Sequence, residues 1–245
     1  VRGVQENGVA ACLKHFALNN QENSRGHIDV EVSDRALYEI YLPAFKAAVQ
    51  EAKVWAVMGA YNKYRGQHTT HHERLINGIL KGQWGFDGVL VSDWGSAHDT
   101  RESALYGLDI EMGTGTDGLT ITTRNAYDFY FLAKPFLEMI KIGEIEESIL
   151  DDKVSRILRL MFRTNMKPNR PRGRMNNPEH LQVAREVAGE GIVLLQNERS
   201  FFPLDPNKKM TIAVIGENAV KSMTVGGGSS ELKARNEISP LVGIQ

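Results

Sequence analysis

Three places in the first hundred residues join an apolar run to side chains able to do chemistry. Val9–Leu13 leads into Lys14-His15, Val54–Met58 stops at Gly59-Ala60-Tyr61-Asn62, and Gly88–Val91 stops at Ser92-Asp93-Trp94. A carboxylate such as Asp93 can attack an electrophilic carbon. Lysine and histidine can donate hydrogen bonds to a hydroxylated ligand, and an indole face can stack on an apolar one. Each cluster alone could be an ordinary polar loop. Three at the ends of successive strands favour convergence, because parallel strands of a (β/α) barrel all point one way and their C-terminal ends meet at one face.

The elements that must position them follow from periodicity. The apolar runs read as strands and alternate with stretches of helical spacing, the pattern of an α/β protein with parallel strands. Ser33 is placed as an N-cap before Leu37, Ile40, Tyr41, Phe45, Ala48 and Val49, which share one helical face, with the helix ending near Glu51. Leu75, Ile76, Ile79 and Leu80 make a second stripe. A fourth unit has a helix near Arg101–Tyr106 and a short strand at Leu108–Glu111, whose Asp109 and Glu111 read as structural. Helices are expected at about Ala126–Lys141 and Ile145–Phe162, with solvated polar faces. Pro168, Pro171, Gly173 and Pro178 give 166–178 the composition of a linker. Beyond it lie an amphipathic helix at Glu179–Gly189, the apolar run Ile192–Leu195, an expected strand at Met210–Ile215 and the loop Gly226–Ser230.

Two features invite other functions. His68, His71 and His72 lie close together, but no H-E-x-x-H spacing accompanies them, so the start of a surface helix capped by Thr69 or Thr70 is expected rather than a metal site. Gly216 and the 226–230 loop follow neither G-x-G-x-x-G nor a Walker pattern, so no phosphate cradle is expected. The 245 residues carry 29 basic and 30 acidic side chains, a net charge of −1, with 42% apolar residues and one cysteine. That balance suggests neither a nucleic-acid nor a membrane-surface partner and leaves a neutral small substrate as the default. Val1 in place of a methionine and the apolar stretch Leu241–Gln245 suggest a window cut from a longer chain.

Lys14-His15-Phe16-Ala17 with Asn19-Asn20-Gln21-Glu22 and Arg25, then Ser33-Asp34-Arg35, Leu42-Pro43-Ala44-Phe45, Met58–Asn62, Trp84–Gly88 and Val91–Trp94, resemble β-glucosidase-type members of glycoside hydrolase family 3 in the family's order. Glu190–Asn197, Phe202-Pro203-Leu204 and Ile212–Gly216 resemble the start of its second domain. The resemblance implies the C-terminal half of a (β/α)8 barrel over 1–165, a linker at 166–178 and the N-terminal part of an α/β sandwich domain over 179–245. It implies a retaining exo-acting glycosidase that releases a terminal β-linked sugar, usually glucose, with a carbohydrate substrate as partner and no cofactor. Asp93 matches the nucleophile. Lys14, His15 and Arg25 match sugar-contacting donors, Met58 and Tyr61 match residues lining the sugar site, Trp94 matches an aromatic wall, and Ser229 or Ser230 a second-domain contact. Retention also needs a proton-donating carboxyl group about 5–5.5 Å from the nucleophile. In such relatives a second-domain glutamate supplies it, expected here beyond Gln245. The N-acetylglucosaminidase branch uses a His/Asp pair after a different motif, and Ala17-Leu18-Asn19-Asn20 departs from that motif.

Alternatives remain at this point. A β-xylosidase or arabinofuranosidase of the same family, a sugar-binding protein without catalysis, and an aldolase-type barrel with Lys14 as imine-forming lysine each keep part of the pattern. The last requires a desolvated pocket around Lys14.

Overall fold

The computed structural model describes residues 1–113, 128, 130–224, 231 and 233–245, and divides into two compact units, Val1–Pro171 and Arg172–Gln245.

The first unit is α/β. Its central sheet is parallel and runs β1 (Cys12–Phe16), β3 (Ala56–Gly59), β6 (Val89–Val91), with Cys12 opposite Ala56 and Met58 opposite Val91. A bridge from Val91 to Ile110 extends the order by one position, and the Ser92 N–H donates to Ile110 O at 2.9 Å. Strand order follows chain order, with helices in the crossovers, the arrangement that alternating apolar runs and helical stripes require. The first strand begins at Cys12, so Lys14 and His15 lie within it rather than beyond its end. A small side sheet of β2 (Asp29–Val30), β4 (Lys63–Tyr64) and β5 (Gln67–His68) hangs from the strand ends.

Helix α1 (Arg2–Glu6) precedes the sheet. The Ser33 hydroxyl accepts from Ala36 N at 3.2 Å and opens α2 (Asp34–Ala36), which widens into a π-helical turn over Leu37–Tyr41. Pro43 then starts α3 (Pro43–Gln50), where its fixed φ suits a first helical turn and its missing N–H costs nothing. The stripe Leu75, Ile76, Ile79, Leu80 is fully buried on a π-helical segment, Arg74–Gln83, and meets Phe16, Val57, Leu90 and Leu108 in one core. Gly88 is required by close approach: a Cβ there would collide with the Trp55 carbonyl. Helices α4 (Thr100–Leu105), α5 (Lys134–Lys141) and α6 (Glu147–Arg163) complete the unit. The expected helix from about 126 begins only at Lys134 among the described residues, because Pro135 belongs in a first turn.

Two further expectations are corrected. His71 and His72 do not open a surface helix: they are 1% and 6% exposed, with Thr69 and Thr70 fully buried, and the helix starts later, at Arg74. Threonine here spends its hydroxyl on loop carbonyls instead of a helix N-terminus. Asp109 is structural, as read. Its carboxylate takes Lys81 Nζ at 2.7 Å and the Leu90 N–H at 2.7 Å, both inside the fold.

The second unit contains α7 (Pro178–Gly191), capped by the Asn177 side chain on His180 N, and α8 (Pro240–Ile244). The strand expected at Met210–Ile215 is not formed among the described residues, and Ile192–Leu195 is exposed. A buried parallel strand needs hydrogen-bonded neighbours and cover on both faces, and the described residues of this unit supply neither.

Candidate functional site

The ends of β1, β3 and β6 are adjacent, so their terminal side chains share one end of the sheet. His15 projects from β1 and places Nε2 at 3.1 Å from Asp93 Oδ2, just after β6. Burial pushes the His15 imidazole below its ordinary 6.5 despite the neighbouring Asp93 carboxylate, which favours the charged form. At neutral pH the ring is therefore uncharged, and it faces the Asp93 carboxylate at ion-pair distance without the alignment of a hydrogen bond.

Tyr61, on the loop after β3, reaches the same carboxylate. Burial first, then the Asp93 charge and hydrogen bond, push its phenol up to about 12, so it stays protonated as a donor. Arg25 lies on the other side of that ring, its guanidinium carbon 4.2 Å from the ring centroid. Glu22 holds Arg25 at 2.5 Å and takes a hydrogen bond from Asn19 Nδ2 at 3.1 Å.

The Asp93 loop has its own supports. The Ser92 hydroxyl accepts from Met112 N at 2.8 Å, and Gly95, at φ +68°, donates its N–H to Met112 O at 3.0 Å. The positive φ turns the chain sharply after Trp94, conformational space that glycine enters without a Cβ penalty. The Asp93 side chain is 15% exposed, enough to be reached and too little to be fully hydrated.

The sequence-expected residues are therefore brought together unevenly. His15, Arg25, Tyr61 and Asp93 form one contiguous cluster. Lys14 is solvent-exposed and close enough for its charge to depress His15, and its exposure does not provide the desolvated surroundings an imine-forming lysine needs. Met58 is half-buried in register with Val91, and Trp94 is 40% exposed. Ser229 lies outside the described residues. Glu22 and Asn19 were given no role by sequence reasoning, although Glu22 stands three residues before Arg25 in the motif that carries it.

A cleft of about 570 Å³ between α3 and Gln83-Trp84 contains none of these residues. A smaller one of about 310 Å³ runs beside the 18–21 loop. The cluster around Asp93 joins a partly desolvated carboxylate to His15 and to a perturbed phenol, a combination that the first cleft, whose titratable residues are Tyr38, Lys46 and Glu51, does not offer. Among the described residues no group of histidine, cysteine, aspartate and glutamate side chains could hold a metal ion, and no helix is long and apolar enough to cross a membrane.

The chain is similar to known proteins along its whole length. It is 55% identical to a beta-glucosidase of Bacteroides ovatus, covering 100% of this chain and 34% of that protein. It is 40% identical to thermostable beta-glucosidase B of Acetivibrio thermocellus, covering 95% of this chain and 29% of that one. Beta-glucosidase 3B from Thermotoga neapolitana, solved in complex with glucose, matches with a TM-score of 0.86 at 37% identity, over 100% of this chain and 33% of the other. The chain thus spans about a third of the length of the curated relatives it matches. The model of the glycosyl hydrolase family 3 N-terminal domain matches residues 1–160 and that of the C-terminal domain residues 192–245. With both domain models matched in order and the strand-end motifs folded into one cluster, the chain belongs to glycosyl hydrolase family 3.

Proposed function

We propose that these residues carry the nucleophile and much of the terminal sugar site of a retaining β-glucosidase. The observation that supports this most is the Asp93 carboxylate at a strand end, held by His15 on one side and faced by the Tyr61 phenol on the other. The Tyr61 hydrogen bond and the close His15 ring restrict the rotamer of the carboxylate, and a positioned carboxylate is what double displacement at an anomeric carbon needs. In this reading residues 1–165 are the C-terminal half of a (β/α)8 barrel, 166–178 a linker and 179–245 the N-terminal part of a sandwich domain.

The reaction proceeds by attack of an Asp93 oxygen on the anomeric carbon as the glycosidic oxygen leaves with a proton, giving a glycosyl ester on Asp93. Water then cleaves the ester, the sugar keeps its β configuration and Asp93 regains its charge. The proton donor is not assigned to any described residue. Lys14, His15 and Arg25 orient the sugar hydroxyls by charge-assisted and neutral hydrogen bonds, Trp94 stacks on the apolar face of the sugar, and Met58 lines the site. The similarity to beta-glucosidases favours glucose as the sugar released.

The test uses the full-length polypeptide that carries these residues, with 4-nitrophenyl β-D-glucoside as substrate. Proton NMR of the first-formed product should show β-glucose, and Asp93→Asn should lower kcat by roughly 10³-fold or more. First-formed α-glucose, or an Asp93→Asn variant of normal activity, would overturn the mechanism. A panel in which the 4-nitrophenyl xyloside outpaces the glucoside would overturn the sugar.

A further inference from the structure

Four of the chain's seven histidines, His68, His71, His72 and His98, gather beside the candidate site without belonging to it. The segment His68–His71 is wedged between the two loops that carry Tyr61 and Asp93. On one side it occupies three consecutive carbonyls. Thr69 Oγ1 lies 3.2 Å from Ala60 O and 3.0 Å from Asn62 O, the Thr69 N–H donates to Asn62 O at 2.9 Å, and His68 Nδ1 donates to Tyr61 O at 3.1 Å. The backbone on both sides of Tyr61 is therefore held by two adjacent residues.

On the other side the segment holds the Asp93 loop. Thr70 Oγ1 accepts from the Ser96 hydroxyl at 3.2 Å, and His71 Nε2 accepts the His98 N–H at 3.3 Å. That acceptor role puts the His71 hydrogen on Nδ1, which lies 2.8 Å from Glu102 Oε2 of α4, at ion-pair distance without hydrogen-bond alignment. The His68 ring stacks on the His98 ring with centroids 3.7 Å apart and planes 24° from parallel, closing the link between the loops. Thr70 also fills the space above Gly59, where a Cβ would come within 2.5 Å of its hydroxyl, so the wedge has no room to slide along β3.

We propose that His68-Thr69-Thr70-His71, stacked on His98, is a positioning brace that sets how Tyr61 meets the Asp93 carboxylate. The proposal rests on the glycosidase reading for its kinetic readout. Neutral rings suit it: desolvation, with the positive groups Lys63, His27 and His72 nearby, outweighs the Asp99 and Glu102 charges that favour protonation, and lowers His68, His71 and His98 below 6.5, the last two to about 4. A ring stack transmits position through its faces, and reacting groups displaced by about 1 Å can lose on the order of 10²-fold in rate.

His98 gives the cleanest test because only the ring face stacked on His68 is desolvated while the residue as a whole is exposed, so truncating it leaves the core filled. In the full-length polypeptide, His98→Ala should lower kcat on 4-nitrophenyl β-D-glucoside by ~10-fold or more while KM changes by less than about threefold. The melting temperature should stay near that of the parent. His98→Phe, which restores a stacking face and no titratable group, should recover kcat to within about threefold. The proposal is overturned if His98→Ala keeps kcat within about twofold, if its loss follows the unfolded fraction, or if His98→Phe recovers nothing. Should the parent hydrolyse no aryl glycoside, the glycosidase reading fails, and the crystal structure of His98→Ala decides the brace alone. A Tyr61 hydroxyl displaced from Asp93 supports it, and an unmoved one overturns it.

Discussion

At the scale of single residues, the site is a carboxylate whose surroundings differ on each side. His15 contributes a neutral ring at ion-pair distance, because burial outweighs the pull of Asp93, and Tyr61 contributes a phenol pushed up to about 12. Tyr61→Phe keeps the ring under Arg25 and removes the donor. It should lower kcat about 10- to 100-fold, the scale of one hydrogen bond to a charged group at ~1.5–3 kcal/mol, with KM for an aryl glucoside changing far less. Steady-state kinetics on the purified variant would check this. Asp93, His15 and Tyr61 were legible in the sequence because each stands at or just after an apolar run that reads as a strand, whereas Arg25, nine residues beyond Phe16, was legible only through the motif resemblance. Glu22 and Asn19 were not, since their partners are a neighbouring arginine and each other, and nothing in composition distinguishes such a loop contact from a solvated turn.

At the scale of elements, the strand order β1, β3, β6 brings the three motifs side by side, and buried polar contacts keep those strands in register. The main one is Asp109, which joins Lys81 to the backbone of β6 through Leu90. Asp109→Ala leaves the Lys81 ammonium buried without its partner and should destabilise the fold by about 3–5 kcal/mol, read as a lower urea midpoint, whereas Asp109→Asn, which keeps one acceptor oxygen for one of the two donors and turns its NH2 toward the other, should recover only part of that loss. The helical stripe at 75–80 and the Ser33 cap were legible because they depend on local spacing. The burial of His68–His71 was not, since it depends on carbonyls at 60–62 and on the 96–98 loop, contacts that no local period encodes. The apolar runs of the second unit mark the same limit: a strand pattern tells that a segment is to be covered, but pairing requires the partner.

At the scale of the whole molecule, two buried bases link stability to pH. His71 titrates near 4 in the fold against 6.5 unfolded, so between those values the unfolded chain binds the extra proton and stability falls as the pH drops through that window. Lys153, depressed to about 8 from 10.5 by burial while it donates to the Ser103 and Leu108 carbonyls, follows the same rule higher up: stability rises as the pH climbs from about 8 to 10.5. Lys153→Met should flatten the alkaline rise and leave the acid fall intact, as urea midpoints across the pH range would report. The near-zero charge of the chain agrees with the neutral substrate proposed, and Asp93 is put forward as the nucleophile on its motif match together with the geometry around it. The central claim is therefore covalent. The full-length polypeptide should be treated with 2,4-dinitrophenyl 2-deoxy-2-fluoro-β-D-glucoside, whose fluorine slows both displacements while its good leaving group keeps the first fast enough for the ester to accumulate, and then digested for peptide mass spectrometry. The account predicts a fluoroglucosyl adduct on Asp93; an adduct on another carboxylate, or steady turnover with no adduct at all, would contradict it.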